Sequence, residues 1–380
     1  MASRILIAGG GTGGHLVPAL NLAAALRRAE PACRLLLLGA ERGIESRVLP
    51  TSGFAYQLLP MQPLVRSRPW RNWRLLTSAP AVFRGIRAAF RDLKPDVVVG
   101  TGGYAAAPAL AYAIAARRPT ALQEQNAWPG LVTRLFTPHV DQVHLGYPEA
   151  AAYLRPGRAT TVCTHGNPVA PPAAAESGAP TGTEGFEWPA GRVVLVTGGS
   201  QGARALNEML LRDLSAAGTW PDATTLVWVT GPAHREAMTA AVRATPWADR
   251  IRIVPWIDRL GAQLGRVSLA IGRAGAMFSA ELAATGVPAL LVPLPSAAGD
   301  HQRHNARALE QAGAALVFEQ DNTAPGALWA AVVEILGARS KYEEMAKRMA
   351  ARGRPDAADR IAADLLSLAA RGRGGTHADD

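Results

Sequence analysis

Three times in this chain a short apolar run ends in a cluster of glycines. Arg4–Ala8 leads into Gly9–Gly14, Val97–Val99 into Gly100–Gly103, and Val193–Val196 into Gly198–Gly202. A run of aliphatic residues without polar alternation fits a strand buried on both faces, as parallel sheets require. Glycine immediately afterwards lets the backbone turn sharply into a helix. After the first turn, Leu16, Leu20, Ala23 and Leu26 recur at helical spacing within Leu16–Arg28. A second strand is expected at Arg34–Leu38, with others at Ala121–Glu124 and Asp141–Leu145. Helices are expected at Ala81–Leu93 and Pro108–Ala116. Alternating strands and helices of this kind give the α/β class.

The pattern stops near residue 166 and starts again near 192. The intervening 166–191, rich in Pro, Ala, Gly and Thr, reads as a linker with a flexible insertion. Beyond it, strands are expected at Val193–Val196, Thr225–Val229, Ile251–Val254, Leu269–Ile271 and Ala289–Val292. Helices are expected at Ala203–Leu214, Ser279–Ala284, His301–Glu310, Pro325–Leu336, Lys341–Arg352 and Asp356–Leu368. The 380 residues suit two domains, 1–165 and 192–355, with a last helix over 356–370. Two cysteines, Cys33 and Cys163, cannot build a disulfide framework. Met1 runs into the first strand with no signal-peptide pattern, and no apolar run reaches membrane-spanning length. A soluble or peripheral protein is expected.

The net charge is +10, and most of it falls in one place. Arg66, Arg68, Arg71, Arg74, Arg84, Arg87, Arg91 and Lys94 face a single acid, Asp92. Arg68, Arg71 and Arg74 are interleaved with Trp70 and Trp73 in what reads as a loop, 66–76, ahead of an amphipathic helix. Such a segment suits an anionic lipid surface or single-stranded nucleic acid. No nucleic-acid-binding motif accompanies it.

The glycine turns could cradle phosphates, since helix N-termini offer unpaired N–H groups and a partial positive charge. None carries the Gly-Lys-Ser/Thr of a P-loop. Gly9–Gly14 satisfies G-x-G-x-x-G, yet no convincing ribose-binding acid follows at the spacing of a dinucleotide fold. His15, directly after the first turn, could accept a proton, cap the helix or bind a phosphate. His139, His144 and His165 read as structural. There is no Asp-x-Asp, no His-Glu-x-x-His and no cysteine pair at ligand spacing, so no metal site and no cofactor is expected. Glu281, early in its helix, could accept ribose hydroxyls or merely complement the helix dipole. The polar run 299–306 follows a strand end, where open sheets bind ligands.

Together these segments resemble the MurG family of N-acetylglucosaminyltransferases, which act on a lipid-linked muramyl-pentapeptide. The resemblance runs in order through GGGTGGH at 9–15, KPDVVVGTGGY at 94–104, EQNAWPG at 124–130, GNPV at 166–169, TGGSQGARALN at 197–207, WID at 256–258, GRAGAM at 272–277, DHQRHNA at 300–306 and PDAADRIA at 355–362. It implies the GT-B fold, two Rossmann-like parallel-sheet domains facing a cleft, with the last helix returning to the first domain. It implies inverting transfer of GlcNAc from UDP-GlcNAc to the 4-hydroxyl of MurNAc in lipid I at the cytoplasmic face of the inner membrane. Partners would be UDP-GlcNAc, lipid I, the anionic membrane and other cell-wall synthesis proteins, with no nucleic acid.

Carried over by position, the resemblance gives Thr12, Gly13, Gly14, Asn126, Ser200, Ile257, Arg273, Ala276, Met277, Glu281 and Gln302 to UDP-GlcNAc. Gly102, Gly103 and Tyr104 fall on the acceptor side, and the base is His15, with Glu124 as the alternative. Three positions depart from the family pattern. Ala170 stands where Arg is usual, Phe278 where Thr is usual, and Gln123 where His is common. Other readings are a GT-B enzyme with a different lipid acceptor, a UDP-GlcNAc-hydrolysing epimerase, or a basic nucleic-acid-binding protein.

Overall fold

The computed structural model describes residues 2–63, 69–170, 186–199 and 202–375. Two compact units divide the chain: residues 1–169 with 356–380, and residues 170–355.

The first unit contains β1 (Arg4–Ala8), β2 (Arg34–Ala40), β3 (Tyr56–Leu59), β4 (Val97–Gly100), β5 (Thr120–Glu124), β6 (Gln142–Leu145) and β7 (Thr161–Cys163). They form one sheet in the order β3-β2-β1-β4-β5-β6-β7, every pairing parallel. The second unit contains β8 (Arg192–Thr197), β9 (Thr224–Val229), β10 (Ile251–Val254), β11 (Leu269–Gly272), β12 (Ala289–Leu291) and β13 (Ala315–Val317). Their order is β10-β9-β8-β11-β12-β13, again all parallel. Both sheets are doubly wound, and each reverses direction once, between β1 and β4 and between β8 and β11.

These reversals decide where ligands can go. Helices leave to opposite faces on the two sides of a reversal, opening a crevice at the carboxyl ends of the strands. Ala8 is paired with Gly100, so the turns that follow β1 and β4 leave the sheet side by side. Thr197 is paired with Gly272 in the same way. The glycine clusters seen in the sequence therefore flank the two switch points.

Both sheet faces are covered, which is why the strands read as unbroken apolar runs. On one face of the first sheet, Leu22 and Leu26 of the helix Gly13–Ala29 pack with Ile361, Ala362 and Leu365 of the last helix, Ala357–Gly375. The alanines Ala19, Ala23, Ala358 and Ala362 let these two helices approach closely. Arg373 of the same helix pairs with Asp96 at 3.3 Å, and Arg4 pairs with Asp96 from β1. On the other face, Val82, Ile86 and Phe90 pack over Leu6, Leu38 and Val98.

Several expectations change. The helix expected at Ala81–Leu93 begins at Trp73. Leu75, Ala79, Val82 and Ile86 keep one face across Pro80, and the proline removes only a single N–H from the ladder. Trp73 and Arg74 are therefore helical, and Pro69–Asn72 is a single 3-10 turn. Gly166–Val169, expected in the linker, belongs to the first unit: Asn167 and Val169 are buried there. Phe186 and Trp188, also expected in the linker, pack on the second core. The strands β3, β7 and β13 had no counterpart in the sequence reading. The last helix extends to Gly375. Among the described residues, no helix is long and apolar enough to cross a membrane.

Candidate functional sites at the two switch points

The first glycine turn is held from below by a carboxylate. Glu45 is fully buried and accepts a hydrogen bond from the backbone N–H of Gly11. A Cβ on Gly10, whose φ is +151°, would fall on the Glu45 carboxylate. A Cβ on Gly11, at φ +92°, would stand 2.6 Å from the Tyr104 ring. The Tyr104 hydroxyl donates to the Arg42 carbonyl at 3.1 Å, and burial followed by the Glu45 charge raises its pKa. The turn thus requires glycine for close packing as well as for its dihedrals. Glu45 carries no sequence motif that would have marked it.

His15 sits in the first turn of the helix Gly13–Ala29. Its Nδ1 lies 3.0 Å from the Thr12 hydroxyl, and the Thr101 hydroxyl donates to its backbone carbonyl at 2.9 Å. The second glycine turn closes against the ring. Gly102 (φ +94°) and Gly103 (φ +74°) face His15, and a Cβ on Gly102 would lie 3.1 Å from Nε2. Thr12, His15, Gly102, Gly103 and Tyr104 are thus one cluster.

Glu124, the alternative base, is held within a local hydrogen-bond network. It is buried, and both oxygens serve the protein's own donors. Oε1 accepts from the Asn126 backbone N–H at 3.0 Å and its side-chain amide at 3.1 Å. Oε2 accepts from the Gly130 N–H at 2.9 Å and the Thr133 hydroxyl at 2.5 Å. A carboxylate so occupied is a clasp on the 126–130 loop, and this geometry argues against its service as a base. Gln123 is also structural. It donates to Asn167 Oδ1 at 3.1 Å, Asn167 donates to the Gln125 carbonyl at 2.9 Å, and Gln125 donates to the Thr101 carbonyl at 2.8 Å. This buried chain of amides ties β5 to both the second glycine turn and the Gly166–Val169 segment.

In the second unit, Gly198 and Gly199 follow β8, and the helix Arg204–Ser215 follows them. Gly199 has φ +91°, and Gly202 packs against the Thr230 carbonyl. Ser200 lies outside the described residues, as does Arg68; of Arg71 only the backbone is described. Across the switch point, Gly272 leaves room for the Phe278 ring at the start of the helix Ala276–Thr285. Asn305 donates to the Ala274 carbonyl at 3.2 Å and fixes this turn from the helix His301–Gln311. Ala276, Met277 and Ile257 are buried. Gln302 accepts from the Leu294 N–H at 2.9 Å.

Two charged residues here differ sharply in what they can do. Arg273 is buried and turned into the protein: it donates to the carbonyls of Val292 at 3.0 Å and Pro293 at 3.2 Å and to Gln320 Oε1 at 2.7 Å. These bonds make it a strut between β11 and the end of β12. Burial lowers its pKa, and Asp321 partly offsets this. Glu281, one helical turn beyond the turn residues, lies against Gly261, and burial pushes its carboxyl up to about 7. A desolvated carboxyl of this kind gains from hydroxyl groups that donate to its charged form.

One more feature touches the first site. A groove of about 650 Å³ runs between the helices Trp73–Leu93, Ala106–Ala115 and Leu131–Phe136. Val82, Ile86, Tyr104, Tyr112, Leu131 and Leu135 line it, and the Tyr104 ring also packs against Gly11 of the first glycine turn. Trp70 and Trp73 nearby in sequence are 72% and 59% exposed, and Phe83 and Leu135 are 55% and 59% exposed. Arg74 lies over the Trp73 ring. The sequence reading found the tryptophans but not the groove, which three separate segments build.

The chain is similar to known proteins over nearly its whole length. Residues 5–145 match the glycosyltransferase family 28 N-terminal domain, and residues 193–361 match the family 28 C-terminal domain. A UDP-N-acetylglucosamine–N-acetylmuramyl-(pentapeptide) pyrophosphoryl-undecaprenol N-acetylglucosamine transferase of Moorella thermoacetica is 39% identical, covering 97% of this chain and 100% of the relative. One of the same description from Chlorobaculum parvum is 37% identical over 96% and 99%. Among solved structures, Acinetobacter baumannii MurG aligns with a TM-score of 0.75 at 27% identity over 96% of this chain and 99% of that one. A calicheamicin glycosyltransferase, 18% identical with a TM-score of 0.66 over 98% and 99%, shares the fold. With both domain families matched in order, and relatives above 30% identity covering 96% or more of the chain, the protein belongs to glycosyltransferase family 28 and, within it, to the MurG family of N-acetylglucosamine transferases.

Proposed function

We propose that this chain transfers N-acetylglucosamine from UDP-GlcNAc to the 4-hydroxyl of MurNAc in undecaprenyl-pyrophosphoryl-MurNAc-pentapeptide, with inversion at C1. The observation that carries the mechanism is the His15 cluster at the first switch point. If His15 Nδ1–H donates to the Thr12 hydroxyl, the basic lone pair sits on Nε2, the nitrogen facing Gly102. His15 then takes the proton of the attacking hydroxyl as its oxygen bonds to C1, while the bond from C1 to the diphosphate oxygen breaks. UDP departs with the negative charge.

The second unit holds the nucleotide sugar in this reading. The N-terminus of the helix Arg204–Ser215 and its glycine turn stabilise the departing diphosphate. Glu281 accepts the ribose hydroxyls, Ile257 meets the base, and Ala276 and Met277 form the pocket wall. Gln302 and Asn126 address the sugar. Arg273 acts on the pocket's shape through its carbonyl contacts.

The acceptor's lipid suits the first unit. The apolar groove lined in part by Tyr104 would take the first isoprene units, placing the pyrophosphate at the Gly9–Gly14 turn and the helix N-terminus. Exposed Trp70, Trp73, Phe83 and Leu135, with the basic segment 66–94, would seat the unit on an anionic membrane at its cytoplasmic face. The test is UDP release from UDP-GlcNAc with and without a short-chain lipid I analogue. Release that depends on the analogue supports the transferase; release indifferent to it contradicts it.

A further inference from the structure

Four ligand-type side chains meet at the far side of the first sheet, beyond β5 from the switch point. His144 comes from β6, Cys163 from β7, His165 from the segment after it, and Asp364 from the last helix. One donor atom from each lies within 4.8 Å of the other three. His165 Nε2 is 2.7 Å from Asp364 Oδ2, and His144 Nδ1 is 3.9 Å from the same oxygen. The two imidazoles stack with centroids 5.6 Å apart.

His144 is the informative member. Its side chain is fully buried, and Nε2 lies 3.2 Å from Gln142 Oε1. Nδ1 has no hydrogen-bond partner. Buried polar nitrogens are rarely left this way. An Nε2–H donating to Gln142 fixes the tautomer with the Nδ1 lone pair aimed into the cluster, the arrangement found around metal-bound histidines.

We propose that His144, Cys163, His165 and Asp364 form a structural site for a zinc-like divalent cation that fastens the last helix to the β6–β7 edge. Two imidazoles, a thiolate and a carboxylate match the ligand preferences of zinc, and the two anionic ligands balance its charge. Magnesium and calcium, which take six or more oxygens, do not fit this set. Four protein ligands close the coordination sphere, as in structural sites. The site is separate from the His15 cluster and takes no part in transfer.

The test uses the full chain stripped with a chelator and titrated with zinc chloride against a chromogenic chelator. One equivalent should bind, and the melting temperature should rise with zinc concentration. Cobalt(II) should give visible bands of a tetrahedral site and a thiolate charge-transfer band. Cys163→Ser should abolish that band and weaken zinc uptake at least tenfold, and Asp364→Asn, at a partly exposed position, should weaken uptake with the fold intact. If Cys163→Ser does not fold, the cobalt spectrum of the unaltered chain decides. Substoichiometric zinc uptake, a cobalt spectrum without the thiolate band, or uptake unchanged in both variants overturns the site.

Discussion

A Cβ on Gly102 would stand 2.7 Å from Cδ2 of the His15 ring. Two glycine turns, 87 positions apart in sequence by these residues, thus meet as one surface because β1 and β4 are neighbours in register. Gly102→Ala must move the imidazole or strain a backbone held at φ +94°. It should lower kcat by about 10²-fold, as small displacements of reacting groups do. UDP affinity, which the proposal assigns to the second unit, should change little. Equal losses in kcat and in UDP binding would contradict this separation.

Removing the proposed base gives a sharper effect. His15→Ala should reduce kcat by about 10²–10⁴-fold, the range for a general base. Thr12→Val should lower kcat less, by about tenfold, because the imidazole loses its orienting partner but not its chemistry. Glu124→Gln tests the clasp. It keeps the shape but weakens three hydrogen bonds to the 126–130 loop and one to Thr133 in the next helix, so it should raise the KM for UDP-GlcNAc and lower the melting temperature. A pH-rate profile that loses its acidic limb in Glu124→Gln would return the base to Glu124.

In its proposed ribose-binding role, Glu281 would make nucleotide binding depend on pH. Its buried carboxyl holds a proton up to about pH 7, whereas ribose hydroxyls donate to the charged form. Binding therefore releases a proton below pH 7. UDP affinity should fall by up to about tenfold per pH unit as pH drops below 7, and level off above it. Glu281→Gln should flatten that profile and bind UDP weakly at all pH values. Calorimetric titration between pH 5.5 and pH 8.5, roughly spanning the transition on both sides, reads both effects.

The last helix is part of the first core, so its truncation should be costly. Leu365→Ala empties a fully buried position between the helix Gly13–Ala29 and the sheet. The expected loss is about 2–5 kcal/mol in chemical denaturation. A loss under about 1 kcal/mol would mean that the helix is docked mainly by its ion pairs, such as Arg373 with Asp96.

The exposed aromatic cluster predicts membrane behaviour. Trp70→Ala with Trp73→Ala should reduce flotation with vesicles containing anionic lipid, while activity on a detergent-soluble acceptor should persist. Flotation unchanged from the parent chain would exclude these tryptophans as the anchor.

The parallel sheets were legible in the sequence because central strands, buried on both faces, read as plain aliphatic runs. Only edge strands escaped: β3, β7 and β13 each have one neighbour and carry exposed or half-buried residues. The helix expected from Ala81 begins at Trp73, because the apolar face continues through Pro80. Of the site, the glycines and His15 could be read locally. Glu45, the Gln123–Asn167–Gln125 network and the His144–Asp364 cluster could not, because their partners are distant in sequence and joined only by sheet order. Arg273 is a similar case: only the fold shows its Nη1 bonded to the Val292 and Pro293 carbonyls and its Nη2 to Gln320.

The central claim is transfer of one sugar to a lipid-linked acceptor. The most direct measurement follows labelled GlcNAc from UDP-GlcNAc into the lipid-extractable fraction, with a lipid I analogue present, and assigns the new linkage by proton NMR. The account predicts one β-linked GlcNAc per acceptor, formed in step with UDP and lost in His15→Ala. Label released as free sugar, or an α linkage, would contradict it.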